Sequence, residues 1–294
     1  MVARAFAAVV LLSGCNQVFG LTATELIDAA DTIDAPRLFV PPDGGTSCPP
    51  APDFEAWIYA PKTLVGSSSE VVHPSFLADD RVVFTSERKE LYESMVDGGA
   101  RLVDELELAL IDISWPSAAP GADLIWFIRV SEMAGVPQPD VGFYYAHRNS
   151  TGWTAHRADL GISGYQVQVG AVGFYAGTAR MVVGVTPTMN DRMRLVELSS
   201  SDGIAWTSLD SFPFSTGDVA DFDPSLSADG CLAFYTRNGA VQLAVRGGDG
   251  RFGAPTALVA AAGGAAFVTQ GALDPSRTRL WLKRGTTLVE GRPP

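Results

Sequence analysis

Basic residues, histidine, cysteine and long apolar runs are all scarce in this chain. Only 21 Lys and Arg stand against 33 Asp and Glu, a formal net charge of −12. The clustered cationic surface that a phosphate backbone demands is therefore missing, which excludes nucleic acid as a partner. Three histidines (His73, His147 and His156), three cysteines and no Cys-x-x-Cys leave the usual zinc patterns unfilled, so neither a metal nor a cofactor is expected. No Gly-x-Ser-x-Gly elbow marks a nucleophilic serine. Gly247-Gly-Asp-Gly250 does not open a helix after a strand, so it reads as a hairpin tip and not as a phosphate cradle. No stretch stays apolar over the roughly 18 residues that a membrane-spanning helix needs.

What is plentiful points to strands. Apolar residues make up 47% of the 294, with 30 Gly and 19 Pro. The chain can bury a sizeable core, and helical periodicity is scarce, so an all-β fold with many turns is expected. The acidity reports solubility more than it reports a ligand.

The N-terminus, Met-Val-Ala-Arg followed by Ala5-Phe-Ala-Ala-Val-Val-Leu-Leu-Ser-Gly-Cys15, has one positive charge, Arg4, before a brief apolar segment. That is the make-up of a secretory signal. Leu12-Ser13-Gly14-Cys15 resembles the bacterial lipobox. The resemblance implies a signal peptide over 1–14, cleavage before Cys15 and lipidation of that cysteine. Two or three acyl chains anchor a protein stably where one does not. The alternative is an ordinary signal peptide with an incidental cysteine. Residues 15–52 read as a tether: Pro36, Pro41, Pro42, Pro49, Pro50 and Pro52, with Gly44-Gly45 and several acids, favour an extended chain. The implied location is the bacterial cell envelope, lipid-anchored to a membrane (the outer one favoured) and facing the periplasm or the cell surface. With Cys15 taken by lipid, Cys48 and Cys231 remain. In an oxidising compartment they can pair; the alternative is a buried free thiol at Cys231 and an idle Cys48.

Residues 53–294 carry a repeat. Its clearest copy is Asp223-Pro-Ser-Leu-Ser-Ala-Asp-Gly-Cys-Leu-Ala-Phe-Tyr235, in which Asp229-Gly230 between apolar segments reads as a type I′ hairpin. Weaker copies start at His73-Pro74-Ser75, Trp115-Pro116-Ser117 and Asp274-Pro275-Ser276, and a fifth unit spans Val167 to Phe174. Pro74 to Pro116 is 42 residues, Pro116 to Pro224 is 108 (two units of 54), and Pro224 to Pro275 is 51. A four-stranded propeller blade takes about 40–50 residues. The expectation is a single β-propeller of five four-stranded antiparallel blades, or six if the long second and third units hide another. The last unit lacks an outer strand, and Phe54 to Leu64 resembles the outer-strand segment Phe252 to Leu258. The N-terminal strand is therefore expected to close the ring and remove its open edge. In the first unit, strands are expected at Arg81–Thr85, Glu90–Val96 and near Arg101–Leu108, the last being alternatively the start of a short helix.

The pattern Pro-x-x-Ser-x-Asp-Gly-x-x-x-x-Phe, followed by a strand ending in Arg, resembles the propeller repeat of TolB-like and WD-repeat-like proteins. It is tight in the fourth unit and loose in the second and third. The resemblance implies the fold; since such propellers bind many different things, it does not point to a particular function.

Ser200-Ser-Asp-Gly-Ile-Ala-Trp206 resembles the Asp-box hairpin of sialidase-like propellers, with one residue fewer between Asp202 and Gly203. That box implies a structural turn, with Asp202 capping amides and Trp206 packing between blades. Arg88, Arg129, Arg148, Arg237 and Arg284 recur after apolar strands and are expected to pair with neighbouring blades. His73 occupies the slot filled by Asp223 and, in the last unit, by Asp274, and is expected to be structural. Asp218, Asp221 and Asp223 lack the spacing of an EF-hand loop. The expected function is binding of a protein or an envelope polymer or glycan, without catalytic residues. The recognition surface is expected on the loops Ser131–Val141 and Thr186–Arg192, through Met133, Val136, Pro137, Pro187 and Met189. The alternative is a sialidase-like hydrolase or lyase acting on envelope carbohydrate at the channel mouth.

Overall fold

A computed structural model describes residues 46–64, 71–86, 90–103, 111–131, 140–150, 152–162, 164, 166–263 and 268–294. The expected signal peptide, Cys15 and most of the expected tether lie outside the described residues. β1 (Ile58–Pro61) is followed by four complete blades. Blade I is β2 (Val71–Phe76), β3 (Arg81–Ser86), β4 (Leu91–Met95) and β5 (Ala100–Leu102). Blade II is β6 (Ile111–Ala118), β7 (Leu124–Ser131), β8 (Asp140–Asn149) and β9 (Gly152–Arg157). Blade III is β10 (Gln166–Tyr175), β11 (Thr178–Thr186), β12 (Arg194–Ser200) and β13 (Thr207–Leu209). Blade IV is β14 (Asp221–Leu226), β15 (Leu232–Arg237), β16 (Ala240–Val245) and β17 (Thr256–Ala257). Blade V has β18 (Val268–Leu273), β19 (Leu280–Arg284) and β20 (Thr287–Arg292), and β1 pairs antiparallel with β20 as its outer strand. The five four-stranded antiparallel sheets form a closed five-bladed β-propeller. Among the described residues helix is confined to a 3-10 turn at Phe54–Ala56 and one α-turn at Val259–Ala262.

The second strand of each blade explains the apolar runs. Val82-Val-Phe84, Leu124-Ile-Trp-Phe-Ile128, Met181-Val-Val183, Leu232-Ala-Phe-Tyr235 and Leu280-Trp-Leu282 are buried on both faces. Successive residues point to opposite faces of a strand, so each run serves two interfaces. In β3, Val83 packs with Ile113 and Ile125 of blade II, while Val82 and Phe84 pack with Trp281 of blade V. In β15, Leu232 and Phe234 face blade V, while Ala233 and Tyr235 join Val182 and Leu195 of blade III. Five apolar clusters result, one per blade interface. The core is a ring of five seams and not a single centre.

In blade I the segment after β4 forms the outer strand at Ala100–Leu102, and residues 104–108 of the expected strand lie outside the described residues. Two local expectations are corrected. Asp229-Gly230 is not a two-residue I′ turn. Gly230 alone has a positive φ (68°) and donates its amide to the Ser227 carbonyl, so the chain makes a longer turn with a glycine after it. The left-handed pairs are Ala176-Gly177 (φ 51° and 71°) and Asn238-Gly239 (φ 53° and 74°), and the second has the sequence a I′ hairpin prefers. Finally, Asp274-Pro275 is not the fifth copy of Asp223-Pro224. Gln270-Gly271 fills that place, and Asp274 sits in the β18–β19 turn with its carboxylate accepting the amides of Thr278 and Arg279.

Candidate functional site: the two mouths of the axial channel

The first strands of the blades line the axis, and each slips register at the same point. The slips fall between Val72 and Ser75, Ser114 and Ser117, Val169 and Val172, Phe222 and Ser225, and Thr269 and Ala272. The extra residue of each bulge is left-handed at His73 (φ 51°), Trp115 (52°), Asp223 (50°) and Gln270 (59°). For a residue with a Cβ this conformation costs roughly 1–2 kcal/mol, so the packing of the ring must impose it. Gly170 takes the fifth place. A Cβ there would lie 2.3 Å from the Pro224 carbonyl oxygen and 2.9 Å from that of Val182, so no side chain fits.

The bulges converge and fill the channel. The His73 amide donates to Gln270 Oε1 (3.0 Å), and the Asp223 amide to Gln168 Oε1 (2.8 Å). His73 Nε2 stands 3.6 Å from Asp223 Oδ1, and the His73 ring lies 5.0 Å from that of Trp115. The space left is about 20 Å³, room for about one water. His73 Nδ1 and Trp115 Nε1 are buried without a partner among the described residues.

A larger recess opens at the mouth formed by the turns between first and second strands. Ala78, Pro120, Phe174, Ala228 and Pro275, one from each blade, enclose about 360 Å³. Asp79 stands at its edge, with Oδ1 taken by the Ser276 amide at 2.7 Å. Around this mouth the blades are tied to one another. Arg277 bridges to Asp229 (2.5 Å), and the Gly121 amide donates to Leu77 and the Phe174 amide to Ala228. The chain before β1 also crosses here. Cys48 is bonded to Cys231 (S–S 2.00 Å), the Tyr175 hydroxyl donates to the Thr46 carbonyl (2.9 Å), and Arg277 Nη1 donates to the Pro50 carbonyl (3.2 Å).

The β12–β13 turn lies at the same end. Asp202 Oδ1 accepts the amides of Ile204 (2.8 Å) and Ala205 (3.0 Å), and the Ser200 hydroxyl donates to it as well. Burial pushes this carboxyl up, but the amide and hydroxyl bonds outweigh it and hold it below the usual range. Trp206 is buried and meets Trp126 of blade II edge-on at 5.6 Å, while Trp126 Nε1 donates to the Gly203 carbonyl. In blade IV the Ser227 hydroxyl donates to Asp229 Oδ1 (2.6 Å) and the Cys231 amide to the same oxygen (3.1 Å).

The arginines that follow the apolar strands do not converge on one another among the described residues. Arg148 of blade II meets Glu93 of blade I, which Arg81 (3.7 Å) and Arg101 (3.5 Å) of blade I also approach. Arg237 grips Asp221 of its own blade through two bonds (2.6 and 2.8 Å), and Asp221 also accepts from Ser215. Arg129 lies over the Tyr144 ring, and Arg284 donates to the Ala261 carbonyl. Arg88 lies outside the described residues. Asp223 accepts from Thr236, and Asp218 from Thr216, so Asp218, Asp221 and Asp223 turn to separate partners. Sequence reasoning overlooked the strongest pair, Arg246 of blade IV with Glu197 of blade III. Its distances are 2.6 and 3.1 Å, with side chains 1% and 0% exposed. The signal was a single Glu following apolar residues in the third strand, at Glu93, Glu197 and Glu290 alike. A buried carboxylate needs a partner.

Pro187 and Met189 stand in the β11–β12 connection, with Met189 69% exposed. Met133, Val136 and Pro137 lie outside the described residues, in the corresponding β7–β8 connection of the adjacent blade. Both connections join second to third strands, so they open at the end opposite the disulfide.

No family model and no curated protein matches the chain. Among solved structures it is similar to a gluconolactonase from Xanthomonas campestris, at 17% identity and TM-score 0.49, covering 76% of this chain and 72% of that one. It is similar to a candidate TolB from Agrobacterium tumefaciens at 14% identity and TM-score 0.48, over 74% and 70%. A β-fructofuranosidase from Bombyx mori matches at 10% identity and TM-score 0.50, over 78% of this chain but only 57% of that enzyme. Identities this low speak to fold alone, and the fold is that of a five-bladed β-propeller repeat protein.

Proposed function

We propose that the chain is a lipid-anchored bacterial envelope protein whose propeller is a binding module, holding a protein or envelope polymer on the loops at the end away from the disulfide. The observation that carries this reading is the filled channel: the ring of bulges leaves about 20 Å³ on the axis, too little for a sugar or peptide. Recognition is thereby left to the surfaces at the two mouths. The described arginines and carboxylates are also spread over separate places, with Arg81, Arg101 and Arg148 round Glu93, Arg180 and Arg246 at Glu197, and Arg237 on Asp221, and not gathered in one cleft as catalysis on carbohydrate would require. Crosslinking of the tagged full-length protein in its native envelope, followed by mass spectrometry, tests the reading. The expected result is one partner at near-equal amount, lost when Pro187 and Met189 are both replaced by serine. Cleavage of envelope carbohydrate by the purified protein, abolished by Asp223→Asn, would replace it with the enzyme. Lipidation is checked separately by labelled palmitate, which enters the natural chain and not Cys15→Ala.

A further inference from the structure

We propose that the seam between blades III and IV carries a binding site for a small tetrahedral oxyanion of the phosphate class, held by Arg180, Ser199 and Thr207. This seam and the one between blades I and II share a plan and differ at one position. In blade I, Glu93 stands opposite Val83, and Arg81 lies two residues before that valine. In blade III, Glu197 stands opposite Val182, and Arg180 lies two residues before it. The next blade supplies a second arginine in each case, Arg148 or Arg246. The amide of Arg148 donates to the Asp123 carbonyl and that of Arg246 to the Cys231 carbonyl, so Asp123 and Cys231 occupy equivalent places. At the first seam the Asp123 carboxylate meets Arg81 at 2.6 Å. At the second the sulfur of Cys231 is bonded to Cys48, and Arg180 has no such acid.

Glu197 does not make up the difference. Arg246 holds both its oxygens, at 2.6 and 3.1 Å, while Arg180 stands 3.9 Å away, beyond hydrogen-bond reach. Arg180 Nε is buried without a partner among the described residues. Its side chain is 15% exposed, against 52% for Arg101, the extra cation of the first seam, which faces water. Burial draws the Arg180 guanidinium below the usual arginine pKa, and Arg246 adds to this while Glu197 opposes it. Two arginines and one carboxylate leave a net +1 (2 − 1 = +1). A poorly hydrated cation of this kind calls for an anion.

The strand register supplies the rest of the site. Arg180 pairs with Ser199, and Ser199 with Thr207, so the three form one row on the face that carries Glu197. Neither hydroxyl is taken by a hydrogen bond among the described residues, and Thr207 is exposed. A guanidinium donates two parallel bonds, and the hydroxyls beside it can donate to further oxygens, which a tetrahedral oxyanion has and a carboxylate lacks. The nearby Arg251–Asp210 pair is neutral as a whole. The site depends neither on lipidation nor on the proposed recognition loops.

Thermal unfolding of the full chain in millimolar inorganic phosphate, against chloride at equal ionic strength, tests it. The natural chain is expected to show a saturable rise in Tm of about 2–4 °C. Arg180→Gln, which leaves the Arg246–Glu197 pair in place, is expected to abolish the rise. Ser199→Ala with Thr207→Val is expected to weaken phosphate binding ~10-fold. Arg81→Gln, the equivalent change at the first seam, is expected to keep the rise. Equilibrium dialysis with labelled phosphate reads the site without unfolding, and should find one phosphate on the natural chain and none on Arg180→Gln. No binding to the natural chain, binding that survives Arg180→Gln, full affinity in the double variant, or equal loss in Arg81→Gln overturns the proposal.

Discussion

The two ends of the propeller are built from the same strands and held together differently. At the disulfide end the contacts run between blades. Arg246 reaches from blade IV to Glu197 of blade III, Arg148 from blade II to Glu93 of blade I, Arg277 from blade V to Asp229 of blade IV, and Trp126 of blade II to Gly203 of blade III. Covalent cross-linking by Cys48–Cys231 adds to them. At the other end the strongest described ion pair, Arg237 with Asp221, joins neighbouring strands of one blade. Large apolar side chains are exposed at both ends, Met189, Phe222 and Val259 at this one and Ile58, Met95 and Val245 at the other. The disulfide end is therefore the more heavily tied of the two, and under the proposed function recognition falls to the other, where blades are joined chiefly by backbone bonds such as Asp221 to Met193 and Val268 to Gly239. This is a division of labour that a closed ring allows, because its rigidity does not depend on the connections at both ends.

The comparison is sharpest at Arg246. Arg246→Ala leaves the Glu197 carboxylate buried and unpaired, and is expected to cost about 3–5 kcal/mol in urea unfolding. The double variant Arg246→Met, Glu197→Leu removes both charges and is expected to recover most of that loss. A cost below about 1 kcal/mol for the single variant would break the comparison. Next comes the disulfide, which joins residues 183 apart. Cys48→Ser is expected to cost about 2–4 kcal/mol. Dithiothreitol should destabilise the natural chain similarly and leave Cys48→Ser unchanged, and a reductant effect on both would mean that the bond is not its target.

Asp202→Ala is expected to cost about 1–3 kcal/mol, because it strands the amides of Ile204 and Ala205. The carboxyl of Asp202 is lower in the folded chain than in the unfolded one, since its hydrogen bonds outweigh burial. Its contribution is thus present above the unfolded value near pH 3.9 and is lost as pH falls through the lower folded value. Stability measured from pH 6 down to pH 2 should fall less steeply in Asp202→Ala than in the natural chain. Equal slopes would remove this turn from the account.

The repeat, the closing strand and the turn at Asp202 were legible because each rests on short-range chemistry. An amide-capping Asp, a glycine with positive φ and an apolar run buried on two faces all leave local marks. The bulge ring was legible only in part. His73, Trp115, Asp223 and Gln270 share a backbone conformation and no chemistry, and only three of them precede proline. Neighbouring blades press closely on this ring, as the tight contact of Gly170 with the Pro224 carbonyl shows. A search for prolines therefore chose Pro275, a turn residue, over Gly271. Arg246 and Glu197 were missed for a related reason. They are 49 residues apart, and the sequence does not reveal which of several arginines meets a given strand glutamate. Pairing across a seam is decided by how blades stack, which is not written in any single blade.

The smallest effect on stability should come from the recognition end, and it tests the comparison from the other side. The β11–β12 connection is fastened by Met193, which is 2% exposed and accepts the Asp221 amide through its carbonyl at 3.0 Å. Met189 takes no part in this and is 69% exposed. Met189→Ser should therefore leave unfolding within about 0.5 kcal/mol of the natural chain, whereas Met193→Ser, which empties a packed site, should cost about 2–5 kcal/mol. Partner recovery should follow the opposite order, falling in Met189→Ser while the fold stays intact. If Met189→Ser instead destabilises the ring and still recovers the partner in full, the exposed methionine belongs to the scaffold. Recognition must then be sought elsewhere on the surface, with Phe222 and Val259 as the next side chains to replace.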